Sequence, residues 1–128
     1  MIIEKPQRHI RRTHSNPEGR IQAECVQWLW NNYPETRGLY IHIPNEGNRR
    51  SKIDGSVRKS LGIISGAPDT FLFIPSKGYH GLAIEFKTLT GRQSESQQLF
   101  EERLESFGYK YVIVKSLSEF IETIKSYL

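Results

Sequence analysis

Residues 66–87, which read GAPDTFLFIPSKGYHGLAIEFK, contain two short apolar runs separated by a turn, and this arrangement most constrains the fold. Each run has the length and composition of a β-strand, and the turn PSKGYH favours antiparallel pairing of the two as a hairpin. In the register of such a hairpin, Asp69 at the start of the first strand lies beside Glu85 in the second. Two acids therefore meet where buried strands are normally apolar.

The two acids and a nearby lysine predict a metal site. Side chains alternate across a strand, so Glu85 and Lys87 point to one face while Phe86 points to the other. Two buried carboxylates repel each other and lose hydration, which is unfavourable unless a cation lies between them. We expect Asp69 and Glu85 to bind a divalent cation such as magnesium. Lys87 is then placed to orient or deprotonate a water and to stabilise phosphate charge.

A simpler interpretation needs no site. Glu85 and Lys87 would form an exposed ion pair on an edge strand, and Asp69 would end a turn. The converging registers of the two strands favour the metal site over this alternative.

The rest of the chain alternates helical and strand patterns. The predicted elements are, in order, a helix over 15–34, a strand over 39–43, a short helix over 56–62, the hairpin, a helix over 94–108, a strand over 109–114 and a closing helix over 116–128. The helix between the hairpin and the last strand permits a parallel crossover. We therefore expect an α/β fold with a mixed sheet of about four strands flanked by helices.

Apolar stripes at helical spacing predict parts of the core. The lone cysteine, Cys25, lies on the apolar face of the first helix, so we assign it to core packing; it cannot form an internal disulfide, which fits a reducing interior. In the helix over 94–108, Phe100, Leu104 and Phe107 are predicted to point inward.

The 128 residues suffice for one domain with a single core. We expect a basic, flexible arm over 1–15 and one domain over 16–128. Apolar runs fall far short of the roughly 20 residues of a membrane helix, and the first residues lack the apolar core of a signal peptide. The expected location is therefore the cytoplasm, with no membrane partner.

Basic residues cluster in two segments, although the net charge is only +4. One cluster lies within the first twenty residues, and the second comprises Arg49, Arg50, Lys52, Arg58 and Lys59. Such clusters bind polyanions by releasing counterions from a phosphate backbone. Solvated loops explain the same pattern, and charge alone does not separate the two interpretations.

Several motifs together resemble one nuclease family. The segment GAPD, fifteen further residues, EFK and then GRQSESQ before an amphipathic helix resemble the VRR-NUC branch of the PD-(D/E)XK nuclease superfamily. The segments EGRIQAECVQWL and HIPNEGNRR are similar to that branch as well. The resemblance implies a restriction-endonuclease-like fold and a DNA nuclease that depends on Mg²⁺ or Mn²⁺.

The resemblance also implies roles for individual residues. Asp69 and Glu85 match the metal-binding acids, the main-chain carbonyl of Phe86 a further ligand, and Lys87 the catalytic lysine. Gln97 matches the glutamine at the start of the following helix.

Glu18 best matches the family's first-helix acid, but Gln22 and Glu24 are alternatives. Glu18 and Gln97 also lie three residues after Ser15 and Ser94, the spacing of a capping box, in which the long side chain satisfies a helix-end N–H. His42 is left out of the site, because isolated strand histidines are more often structural.

Stand-alone family members of this length are typical of phages, and the resemblance implies a homodimer that cuts branched DNA such as four-way junctions. Two symmetric nicks need two related sites, which is consistent with a dimer. One alternative is a nucleic-acid-binding module without activity, and another is a nuclease subunit active only with a helicase partner.

Overall fold

The computed structural model describes residues 16–44 and 55–128. Its elements are α1 (Pro17–Asn32), a 3₁₀ turn (Pro34–Thr36), β1 (Tyr40–His42), α2 (Gly55–Ser60), β2 (Thr70–Leu72), β3 (Leu82–Phe86), α3 (Glu95–Ser106), β4 (Lys110–Val114) and α4 (Leu117–Tyr127). The predicted element order and α/β class are confirmed. The proposed arm over 1–15 lies outside the described residues. None of the helices in the described ranges has the length and apolar character needed to cross a membrane.

The four strands form one mixed sheet in the order β1-β2-β3-β4. β1 pairs with β2 and β2 with β3 in antiparallel fashion, whereas β3 and β4 are parallel. Helix α3 makes the crossover between the two parallel strands, as expected from its position in the chain. β3, which carries Glu85, is therefore paired on both sides.

The hairpin between β2 and β3 has the predicted register. Thr70 lies opposite Ile84, and extending this register by one residue places Asp69, which precedes Thr70, beside Glu85, which follows Ile84. At the far end, Lys77 and Gly78 both have positive φ, 50° and 87°. Ser76 and Tyr79 exchange both backbone hydrogen bonds around them, as in a type I′ turn.

Helices α1 and α4 cover one face of the sheet. The fully buried residues of this layer come from both helices and from the sheet: Cys25, Leu29, Leu72, Leu82, Ile84, Phe86, Val114, Phe120 and Ile124. Burial raises the pKa of the Cys25 thiol to about 12. The assignment of Cys25 to core packing is confirmed.

Helix α3 covers the opposite face, on which Glu85 lies. A smaller core of Phe71, Ala83 and Tyr111 forms there, with Leu104 of α3 packed against it. The prediction that Phe107 points inward is wrong, because this side chain is 67% exposed. Phe107 follows the last helical residue, and Gly108, at φ 89°, turns the chain towards β4 before another inward position occurs.

Gly66 fits the segment before β2 against the first turn of α3. Its φ is +90°, and a Cβ there would lie 2.9 Å from the backbone nitrogen of Gln97 and closer still to the carbonyl of Ser96. Contacts this close to rigid helix backbone cannot relax by rotating a side chain. Only glycine therefore lets the loop and the start of α3 approach in this way.

We predict that Gly66→Ala lowers the free energy of unfolding by more than Gly62→Ala. Gly62 has a similar φ of +84°, but a Cβ there meets nothing within 4 Å among the described residues. Gly62→Ala should therefore cost only the left-handed backbone penalty of roughly 1–2 kcal/mol, and Gly66→Ala that penalty plus the overlap. Urea unfolding of both variants measures the difference, and equal losses would contradict the packing argument.

Candidate active site

Asp69 sits directly before β2, with its carboxylate directed at β3. Its main-chain carbonyl accepts a hydrogen bond from the N–H of Ile43 at 2.7 Å, which joins it to the end of β1. Its Oδ2 accepts a hydrogen bond from the backbone N–H of Phe86, also at 2.7 Å. The Asp69 carboxylate is thus held next to Glu85, the residue before Phe86.

Burial raises the pKa of Asp69 above its ordinary value. The hydrogen bond from Phe86 acts in the opposite direction, while the nearby negative charges of Glu85 and Glu18 add to the increase. An ionised Asp69 is therefore held in an environment that disfavours its charge. A neighbouring cation would stabilise the ionised carboxylate.

Glu85 is completely buried in the middle of the sheet. Its Oε1 accepts a short hydrogen bond from the hydroxyl of Tyr111, and the amide of Gln93 lies 3.4 Å from the same oxygen. Its Oε2 is also buried and receives no hydrogen bond from the described part of the chain. The interpretation of Glu85 as an exposed residue on an edge strand is therefore excluded.

Lys87 lies beside the second oxygen of Glu85. Its Nζ is 3.7 Å from Glu85 Oε2, and the lysine side chain is only 14% exposed. This distance is within ionic contact but too long for a strong hydrogen bond. The ammonium group therefore offsets part of the buried negative charge and leaves the oxygen able to bind another group.

A polar cavity of about 280 Å³ opens beside Asp69 and Lys87, whereas Glu85 is fully buried and is not one of its lining residues. It is lined by Glu18, Ser65, Gly66, Asp69, Phe86, Lys87, Ser94, Ser96 and Gln97. Its walls come from the start of α1, the loop before β2, the end of β3 and the start of α3. The fold therefore brings together five residues that the sequence had placed in the site: Glu18, Asp69, Phe86, Lys87 and Gln97.

Among the three candidates on α1, Glu18 is the one that reaches this cavity. Asn16 is the N-cap of α1, accepting a hydrogen bond from Gly19 N–H, so Glu18 is one position too early for a capping box. Gln22 instead contacts the ring of His42, with 2.9 Å between Nε2 and Nδ1. Glu24 is exposed.

Gln97 both caps α3 and lines the cavity. Its Oε1 accepts a hydrogen bond from the N–H of Ser94 at 2.8 Å, and its own N–H donates to Ser94 Oγ at 3.2 Å. This is a complete capping box. The capping interaction also places the side chain at the cavity wall.

The candidate DNA contacts lie mostly beyond the described residues. Arg49, Arg50 and Lys52 are outside the described ranges, as is the side chain of Arg58. Lys59 is exposed on α2. The phosphate-binding role of this group remains a prediction.

Three residues at the site were not assigned from the sequence. Tyr111 and Gln93 contact Glu85, and His42 Nδ1 lies 3.0 Å from the main-chain carbonyl of Asp69. Burial, followed by the hydrogen bond to Glu85 and the charge of that residue, raises the pKa of Tyr111, so its hydroxyl remains a donor. The parallel pairing of β3 with β4 was the one available signal, because it puts Tyr111 on the face of Glu85.

The residues present fit a divalent cation. Both acids are desolvated, and Glu85 Oε2 lacks a hydrogen-bond donor among residues 16–44 and 55–128. Within those same ranges no three His, Cys, Asp or Glu side chains gather as a metal-binding group. The groups that would hold a cation here are the carboxylates of Asp69 and Glu85 and, as the family resemblance implies, the main-chain carbonyl of Phe86. This pattern is typical of magnesium.

A larger hollow of about 760 Å³ lies elsewhere on the face covered by α3. It is lined by Ile64, His80, Phe100, Arg103, Leu104, Phe107 and Tyr109. None of these lining residues, all within the described part of the chain, is acidic. The smaller polar cavity is therefore the candidate active site.

Comparisons with known proteins agree with this geometry. The family model described as VRR-NUC domain matches residues 16–117. A solved structure described as a VRR_NUC domain protein superposes with a TM-score of 0.74 at 24% identity, over 86% of each chain. A comparison with curated proteins finds no match. The similarity in structure shows a shared fold, and the family match covers most of the chain: the protein belongs to the VRR-NUC domain family, whose fold is of the nuclease type.

Proposed function

We propose that the protein is a divalent-metal-dependent DNA endonuclease that hydrolyses phosphodiester bonds and prefers branched DNA such as four-way junctions. The observation that carries the proposal is the buried carboxylate of Glu85, with Oε2 next to Lys87 and with Asp69 held beside it. Membership of the VRR-NUC family supports nuclease chemistry at this cavity.

Asp69, Glu85 and the main-chain carbonyl of Phe86 are the groups that would hold Mg²⁺ or Mn²⁺. When bound, such an ion lowers the pKa of its water ligand and offsets the negative charge of a phosphate. The protein itself contributes two acids held in place before the ion arrives, because Asp69 is fixed by Phe86 N–H and Glu85 by Tyr111.

Among the basic side chains, Lys87 is the proposed catalytic residue. Its side chain is largely buried at the cavity wall, where a positive charge acts more strongly than in bulk water. The ammonium donates hydrogen bonds to the attacking water or to a phosphate oxygen, which favours the charge that develops during hydrolysis. Glu18 lies in the first turn of α1 and Gln97 in the first turn of α3, and both would orient water at the edge of the same cavity.

DNA binding is assigned to the second basic cluster, Arg49, Arg50, Lys52, Arg58 and Lys59. These side chains would contact phosphates and set the position of the duplex without reading its sequence. The arm over 1–15 adds further basic residues. We also propose that the protein acts as a homodimer, because paired nicks at a symmetric junction need two related sites.

We predict that Asp69→Asn abolishes cleavage while DNA affinity stays within about tenfold, because the change removes a metal ligand and no basic contact. Supercoiled, linear, flapped and four-way DNA are incubated with each variant and Mg²⁺ or Mn²⁺, and binding is measured by fluorescence anisotropy. Glu102→Gln is the matched control, since it neutralises an exposed acid on α3 and should cut normally.

The same panel separates the alternatives. DNA binding without cleavage by the isolated wild-type protein would favour a module without activity, and cleavage that appears only after a helicase is added would favour a subunit in trans. Cleavage retained in Asp69→Asn would remove this residue from the site.

We predict that Arg49→Ala with Arg50→Ala weakens DNA binding and flattens its dependence on salt. Each lost phosphate contact should reduce the slope of log affinity against log salt by about 0.9. Anisotropy titrations at several salt concentrations measure the slope. An unchanged slope would exclude phosphate contacts by these two residues.

We predict that Asp69→Asn stabilises the metal-free protein near neutral pH. The folded state raises the pKa of Asp69 above its ordinary value of 3.8, so ionisation of this group opposes folding as pH rises above that value. The variant should therefore gain stability over the wild type from acid to neutral pH in EDTA. Urea unfolding tests this, and Mg²⁺ should then stabilise only the wild type. A constant difference across pH would contradict the argument.

A further inference from the structure

We infer that Tyr111 is a positioning residue for the metal site, and that Gln93 assists it. The hydroxyl of Tyr111 holds the Glu85 carboxylate so that Oε2, rather than Oε1, is available to the cation. This inference rests on the proposed function, since it concerns the metal that Glu85 would bind.

The sheet brings the tyrosine to the acid. β4 runs parallel to β3, and Tyr111 pairs with Ala83, two residues before Glu85. Tyr111 and Ala83 belong to the same buried cluster on the face covered by α3, and Glu85 shares that face with Ala83. Tyr111 is only 4% exposed, so its hydroxyl is directed within the protein at Glu85 Oε1.

The two carboxylate oxygens of Glu85 have different surroundings. Oε1 accepts the hydrogen bond from Tyr111, whereas Oε2 has no donor in the described ranges and lies 3.7 Å from Lys87 Nζ. Lys87 lines the polar cavity, whereas Glu85 is buried behind it, so Oε2 is the Glu85 oxygen that lies next to a cavity-lining group. A donor on one oxygen fixes the rotation of the carboxylate and thereby directs the other.

Gln93 forms a second, weaker link to Oε1. Its Nε2 lies 3.4 Å from Glu85 Oε1 and 2.9 Å from Glu101 Oε1. Glu101, on α3, therefore keeps the amide nitrogen of Gln93 turned towards Glu85. Because the 3.4 Å contact is long for a hydrogen bond, Tyr111 is the main positioning group.

The hydroxyl is the informative atom, because Phe would fill the same apolar space. In Tyr111→Phe, Glu85 keeps its buried surroundings but loses the donor that orients it. Loss of such an outer contact typically weakens metal affinity by about tenfold or more. DNA affinity should be unchanged, because Tyr111 lies outside the cavity lining and below the surface.

The test is calorimetric titration of Mn²⁺ into DNA-free protein. We expect Tyr111→Phe to raise the Mn²⁺ dissociation constant about tenfold, and Gln93→Leu to raise it less. Cleavage by Tyr111→Phe should recover at high Mn²⁺, because the ligands themselves are retained. Urea unfolding of each variant checks that it is folded at the temperature used.

Tyr127→Phe is the matched control. Tyr127 is 5% exposed, and its hydroxyl donates to the carbonyl of Ile74 at 2.7 Å, on the face opposite to Glu85. Tyr127→Phe therefore removes a hydroxyl oxygen that is buried to a similar extent as the one removed in Tyr111→Phe. We expect its unfolding midpoint to fall and its Mn²⁺ affinity to equal that of the wild type.

The outcomes separate this inference from the proposed function. If the wild type binds Mn²⁺ and Asp69→Asn does not, the metal site stands. If Tyr111→Phe and Gln93→Leu then both bind Mn²⁺ as tightly as the wild type, only the positioning role is overturned. An equal loss of Mn²⁺ affinity in Tyr111→Phe and Tyr127→Phe would overturn it as well. Failure of the wild type to bind Mn²⁺ would overturn both.

Discussion

The hydrogen bond from Phe86 N–H to Asp69 Oδ2 joins the two strands at the point on which the candidate active site depends. It places one carboxylate beside another that is fully buried, Glu85, in a strand, β3, whose residues are all buried. The antiparallel register of β2 and β3 makes this possible, since Thr70 opposite Ile84 leaves Asp69 next to Glu85. A shift of one residue would turn Glu85 to the other face and separate the two acids.

Burying two acids side by side is unfavourable when no cation lies between them. Desolvation raises the pKa of Asp69, and one oxygen of Glu85 lacks a donor among the residues described. The nearby ammonium of Lys87 offsets only part of this charge, because it lies 3.7 Å from Glu85. Binding of a cation between the two acids would stabilise the folded state, because it would offset the charge that burial disfavours.

The fold surrounds the acids with groups from separate parts of the chain. α1 and α3 both begin at the polar cavity, so Glu18 and Gln97 reach it from two sides. Gly66 lets the loop before β2 lie directly against the first turn of α3. Tyr111 and Gln93 contact Oε1 of Glu85, on the face of the sheet that α3 covers. The site is therefore supported by the sheet as well as by the loops around it.

The sequence alone determined the hairpin, the neighbouring positions of Asp69 and Glu85, the mixed sheet and the packing of Cys25, because strand alternation, turn residues and helical spacing are local properties of the chain. It did not identify the contacts of Tyr111, Gln93 or His42 with the two acids, and it wrongly turned Phe107 inward. Those features depend on how β4 pairs with β3 across a helix and on where α3 ends against the sheet. The tertiary structure alone decided them, because a contact between segments distant in sequence is set by their packing and leaves no periodic signal in either one.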